Sequence, residues 1–86
     1  MNPVLTPEQV IEKTQSYLIK EMKTELDKYY LSQVSFIYYS DQKKDGRWIL
    51  FYECKPNKDG SIAVGCHFGV EVSNSKEPSF NIHPGL

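Results

Sequence analysis

The chain has 86 residues, 40% apolar and 24% charged, with ten basic and eleven acidic side chains for a formal net charge of −1. That length accommodates one hydrophobic core rather than two, and the interspersed charges offer no basic stripe to a nucleic acid. No stretch reaches the roughly 20 apolar residues of a membrane-spanning helix, so a cytoplasmic protein with no membrane partner is expected, or a periplasmic one if a signal peptide has been removed.

In chain order, Thr6-Pro7-Glu8-Gln9 combines an N-cap hydroxyl, a proline at the first helical position and a glutamine placed to complete a capping box. A helix is expected from about residue 7 to 29. Val10, Thr14, Leu18, Met22 and Leu26 recur every four residues, Ile11 and Tyr29 widen the stripe, and Glu12, Lys13, Lys20, Lys23 and Asp27 occupy the other side.

After Tyr30 the period becomes twofold, which predicts strands at about 33–40, 47–55, 61–73 and 79–83. The polar runs Asp41–Gly46, Pro56–Gly60 and Asn74–Pro78 are the turns between them. The third strand is the most regular: Ile62, Val64, Cys66, Phe68, Val70 and Val72 occupy every second place, leaving Ala63, Gly65, His67, Gly69 and Glu71 to the opposite face. The predicted fold is α+β, a single domain with one long N-terminal helix on a four-stranded antiparallel meander.

Turns centred on Lys43 and Asp59 imply a register. On the helix-covered face Tyr38, Trp48 and Val70 align, then Phe36, Leu50 and Phe68, then Val34, Tyr52 and Cys66. On the other face Tyr39, Arg47 and Glu71 align, then Ile37, Ile49 and Gly69, then Ser35, Phe51 and His67. This register sets Cys54 opposite Val64 and diagonal to Cys66, so two separate buried thiols are expected, in keeping with a reducing compartment. Cys66 and His67 project to opposite faces, so no three of Cys54, Cys66, His67 and His83 converge, and neither metal nor cofactor is expected.

His67 and Glu71 are four residues apart on a strand, too far to form an acid-base pair. Glu53, diagonal to His67 on the neighbouring strand, is nearer, but no nucleophile motif or phosphate-binding loop accompanies it. An enzyme is therefore not expected, with a small hydrolase or ligand-binding enzyme at His67 and Glu53 as the weakest of three alternatives. The second face offers an apolar centre with a polar rim, the composition of a protein interface, and the candidate partner-binding residues are Tyr39, Arg47, Ile49, Phe51, Glu53, His67 and Glu71. The first strand, Ser32 to Ser40, lacks charge and proline although a simple meander leaves it at an edge. A covering element is expected: Val4 and Leu5, a second copy of the chain, or another protein.

A capped helix followed by a Trp-x-x-Phe-Tyr strand (Trp48, Phe51, Tyr52), an alternating strand and a short turn resembles small bacterial immunity proteins with cystatin-like, NTF2-like or PepSY-like layouts. The resemblance implies binding and neutralisation of a cognate toxin, without catalysis or cofactor. The Gln-x-Val-x-Gly segment of true cystatins is absent, so it does not extend to inhibition of cysteine proteases. The alternative within the same fold is a structural or self-assembling homodimer.

Overall fold

The computed structural model describes residues 3–21, 23, 26–37, 46–61 and 66–84. One helix, α1 (Pro7–Lys20), packs on a four-stranded antiparallel sheet of β1 (Tyr29–Ile37), β2 (Arg47–Cys54), β3 (His67–Ser73) and β4 (Phe80–Pro84), ordered β1-β2-β3-β4.

The helix begins as its sequence dictates. The Thr6 hydroxyl accepts from the Gln9 N–H at 3.2 Å, and the Gln9 side chain accepts from the Thr6 N–H at 2.9 Å, so two otherwise orphan amides are satisfied reciprocally. Val10, Thr14 and Leu18 are its buried residues, four apart as the apolar stripe requires. Leu5 joins them in the core, while the Val4 N–H donates to Asn74 Oδ1 in the β3–β4 turn at 2.7 Å. The N-terminal segment is thus anchored at that turn, not laid along the first strand.

The helix is shorter than its periodicity suggests. The Glu21 cap N–H donates to the Tyr17 carbonyl, and Lys23 takes a left-handed φ of 52°, a conformation that ends a right-handed helix. Leu26–Lys28 then form one 3-10 turn, and Tyr29, expected in the helix, opens β1 opposite Cys54. Leu26 and Tyr29 still pack against the core, but from a turn and a strand. An apolar recurrence of three to four residues is satisfied as well by a chain that turns back onto the sheet as by one that continues to coil. Met22 lies outside the described residues.

A bulge between Leu31 and Gln33 explains how β1 keeps one face in the core. Tyr29 and Leu31 are odd-numbered, Val34 and Phe36 even-numbered, yet all four pack against the buried cluster. One extra residue, Ser32, switches the parity, and its hydroxyl donates to the Phe51 carbonyl at 3.2 Å.

The register differs from the predicted one by two residues between β2 and β3, and by two residues between Gln33–Ile37 of β1 and β2. Trp48 faces Phe36 rather than Tyr38 and Val72 rather than Val70, and Leu50 lies between Val34 and Val70. Tyr38 and the turn at Lys43 lie outside the described residues. The β2–β3 register is symmetric about Gly60, one place beyond Asp59, and Gly60 has the positive φ of 87° that a residue with a Cβ adopts at a cost. Asp59 braces this turn by accepting from the Ser61 hydroxyl at 2.7 Å and the Ser61 N–H at 2.9 Å, bonds that hold its carboxyl below the usual carboxylate range.

The slip decides the state of the cysteines. It brings Cys54 directly opposite Cys66, with the Cys54 N–H donating to the Cys66 carbonyl at 3.0 Å and the Cα atoms 5.5 Å apart. The two form a disulfide. The expectation of separate buried thiols is overturned, because it rested on the two-residue offset that set Cys54 against Val64.

The core between helix and sheet consists of Leu5, Val10, Leu18, Trp48, Leu50, Tyr52, Val70 and Val72. Aromatic contacts close its ends: Tyr17 stacks on Phe80 with ring centres 4.5 Å apart, Phe36 meets Trp48 edge-on, and half-buried Phe68 stacks on Tyr52. Among the described residues, Thr14 Oγ1, Trp48 Nε1 and Tyr52 Oη are buried there without a hydrogen-bond partner. Burial pushes the Tyr52 hydroxyl up to about 12.

Candidate functional site: the open face of the sheet

The strands that bury Trp48, Leu50, Val70 and Val72 toward α1 present their alternate residues on the opposite face. The observed register arranges these in rows: Ile37, Arg47 and Ser73; Ser35, Ile49, Glu71 and Asn81; Gln33, Phe51, Gly69 and His83; Tyr30, Glu53 and His67. Among the described residues no helix or strand lies over this face. Ile49 and Phe51 are half-buried at its centre, and Ile37 and Tyr30 are exposed at 40% and 45% along its β1 margin.

Glu71 organises one end. Its Oε2 forms an ion pair with Arg47, and its Oε1 lies 3.1 Å from His83 Nε2, so one carboxylate links β2 and β4 across β3. Arg47 aligns with Ser73 rather than with Glu71, and the ion pair is a diagonal one, within reach of a long side chain. Beside it Arg47, Glu71, Ser73, Asn74 and Asn81 line a concavity of about 430 Å³.

At the other end Glu53 and His67 face each other directly, where the predicted register had them diagonal. With Ser32, Gln33 and Phe51 they line a second concavity of about 290 Å³. The Ser32 hydroxyl is committed to the Phe51 carbonyl, and among the described residues no hydrogen bond joins serine, imidazole and carboxylate.

Six of the seven candidate residues, Arg47, Ile49, Phe51, Glu53, His67 and Glu71, therefore share one face, while Tyr39 lies outside the described residues. Sequence reasoning missed His83 and Asn81 as members of that face. The signal was present, because Phe80 and Ile82 packing on the core oblige Asn81 and His83 to turn the other way. Cys54 and Cys66, once weighed as metal ligands, are consumed by their bridge.

No family model, curated protein or solved structure matches this chain.

Proposed function

We propose that this chain is a non-enzymatic protein-binding module, an immunity or inhibitor protein that lays its open sheet face over the functional surface of a partner such as a toxin. The observation that carries the reading is the composition of that face. Half-buried Ile49 and Phe51 form an apolar centre, and Arg47, Glu71 and His83 on one side with Glu53 and His67 on the other form a charged rim. Interfaces concentrate their energy in such an aromatic centre and use the rim for steering and register.

Catalysis is disfavoured by the commitment of Ser32, the one hydroxyl among the described residues that line the concavity of Glu53 and His67, to a backbone carbonyl. No helix of the described residues is long and apolar enough to cross a membrane. Of the two compartments expected from sequence, the disulfide favours the oxidising, periplasmic one, since such bridges persist where thiols are not kept reduced.

The test is affinity capture from the source cell, with wild-type protein and with the Phe51→Ala and Ile49→Asp variants immobilised in parallel. Wild type should retain one partner specifically. Both variants should lose it while keeping the wild-type circular dichroism spectrum, and Arg47→Ala should weaken capture only modestly. Unchanged capture by folded Phe51→Ala and Ile49→Asp would remove the open face from the reading.

A further inference from the structure

The two edges of the sheet are finished differently. β4 is five residues long, follows Pro78 and ends on Pro84, which has no N–H to offer a further strand. β1 is nine residues long, and none of Tyr29–Ile37 is charged or a proline. Natural proteins protect a long edge with lysine, proline or a covering segment. Among the described residues none of these is present at β1, since α1 packs over β3 and Val4 is tied to Asn74; the bulge at Ser32, itself a device that interrupts an edge, leaves Gln33–Ile37 as the regular unprotected stretch.

Hydrogen-bond parity identifies the backbone groups this edge presents. The Lys55 N–H donates to the Lys28 carbonyl, and the Cys54 N–H donates away from β1, to Cys66. Bonded and non-bonded pairs alternate along an antiparallel ladder, so Tyr30 turns its amide toward β2 while Tyr29 and Leu31 turn theirs outward. Past the Ser32 bulge the bonded pairs resume at Gln33–Phe51 and Ser35–Ile49, which leaves the N–H and C=O of Val34 and Phe36 facing away from the sheet.

We propose that β1 pairs with β1 of a second copy of this chain, antiparallel about a two-fold axis at Ser35. In that register Val34 and Phe36 exchange backbone hydrogen bonds with Phe36 and Val34 of the other copy, and the outward groups of both strands coincide. Ser35 would lie opposite its own copy, with Gln33, Val34, Phe36 and Ile37 next to the axis, so a charge at the centre of the pairing would be repelled by its own copy. The neutrality of these five residues therefore suits self-pairing, whereas a foreign strand would impose no such requirement.

The side chains agree with this register. Val34 and Phe36, half-buried at the margin of the core, would cover each other across the axis, Ile37 would meet Gln33, and the two Ser35 residues would face one another. Both helices would stay on one side of a continuous eight-stranded sheet, and both open faces on the other. A ladder this short buries less than a standard interface, so the dimer is weak and dissociates on dilution.

Sedimentation equilibrium on the full chain, from about 1 μM to about 1 mM, should show the weight-average mass rising from 10.0 kDa toward twice that value. The Gln33→Lys/Ser35→Lys double variant adds charge at the axis on the solvent side of the strand and should stay monomeric with an unchanged circular dichroism spectrum. Phe51→Ala, which tests the open face as a docking site, should dimerise like wild type, so failure of either proposal is read separately. A wild type monomeric throughout, or a folded double-lysine variant that still dimerises, would overturn the pairing. Amide exchange covers the case in which that variant fails to fold: the Val34 and Phe36 amides of wild type should become protected as concentration rises, and protection independent of concentration would also overturn it.

Discussion

The two faces of the sheet are made from alternate residues of the same strands, yet among the described residues one is covered and the other open. Toward α1, Trp48, Leu50, Tyr52, Val70 and Val72 are each no more than 4% exposed. On the far side Ile49 and Phe51 are half-buried, and Arg47 and Glu71 are linked across strands at side-chain exposures of 43% and 18%. Both faces contain large apolar side chains, so hydrophobicity alone does not distinguish core from surface here. The distinction is that the helix covers one face, while on the other Arg47, Glu53, His67 and Glu71 surround the apolar pair Ile49 and Phe51.

The largest effect that would sharpen this contrast comes from neighbouring residues of β2. Leu50→Ala empties a fully buried site and should cost about 2 to 5 kcal/mol in urea denaturation, whereas Phe51→Ala should cost about 1 kcal/mol. Equal shifts of the midpoint would mean that the open face is itself a core.

The disulfide ties the end of β2 to the residue that precedes β3. Its cysteines are 12 residues apart, for which closing the loop in the unfolded chain corresponds to about 3 kcal/mol, so reductant should lower the melting temperature clearly. An unchanged melting curve, with both thiols then reacting with a labelling reagent in the folded protein, would show the bridge to be energetically idle.

A smaller effect tests the closed face from within. The Tyr52 hydroxyl is buried with no partner among the described residues, so Tyr52→Phe should stabilise the fold by about 1 kcal/mol at neutral pH. Because burial raises the folded-state value to about 12 from an ordinary 10, the unfolded chain releases this proton first. The stability associated with the proton is complete below pH 10 and is lost as pH rises through about 12. Denaturation midpoints measured across that range should fall more steeply for wild type than for Tyr52→Phe. The smallest change belongs to the open face: Glu71→Gln breaks a solvent-screened link to Arg47 and His83 and should cost less than about 1 kcal/mol, with the difference shrinking at high salt.

The candidate face was legible to the extent that alternation is legible. Arg47, Ile49, Phe51 and Glu53 share a face because they are spaced by two, as do His67 and Glu71, and any register that buries Trp48 and Val70 keeps them together. Their row partners were not legible. A shift of two residues leaves every side chain on its own face, so the hydrophobic pattern cannot choose between the two registers. The choice fell to the turns, and at the second of them the pivot is Gly60, whose positive φ only the folded hairpin displays.

By itself, then, the sequence determined the helix start through its capping box, the four strands through their twofold period, and which residues of β2 and of the described β3 face α1. These are local properties, set by spacing along the chain and by side-chain chemistry within a few residues. Only the tertiary structure decided that the helix stops at Lys20, that β1 takes up Tyr29 and bulges at Ser32, and that Cys54 meets Cys66. Each of those depends on where two distant segments come to rest against each other. A helical or twofold period states which side of an element is apolar, and leaves open how far that element slides along its neighbour before the side is buried.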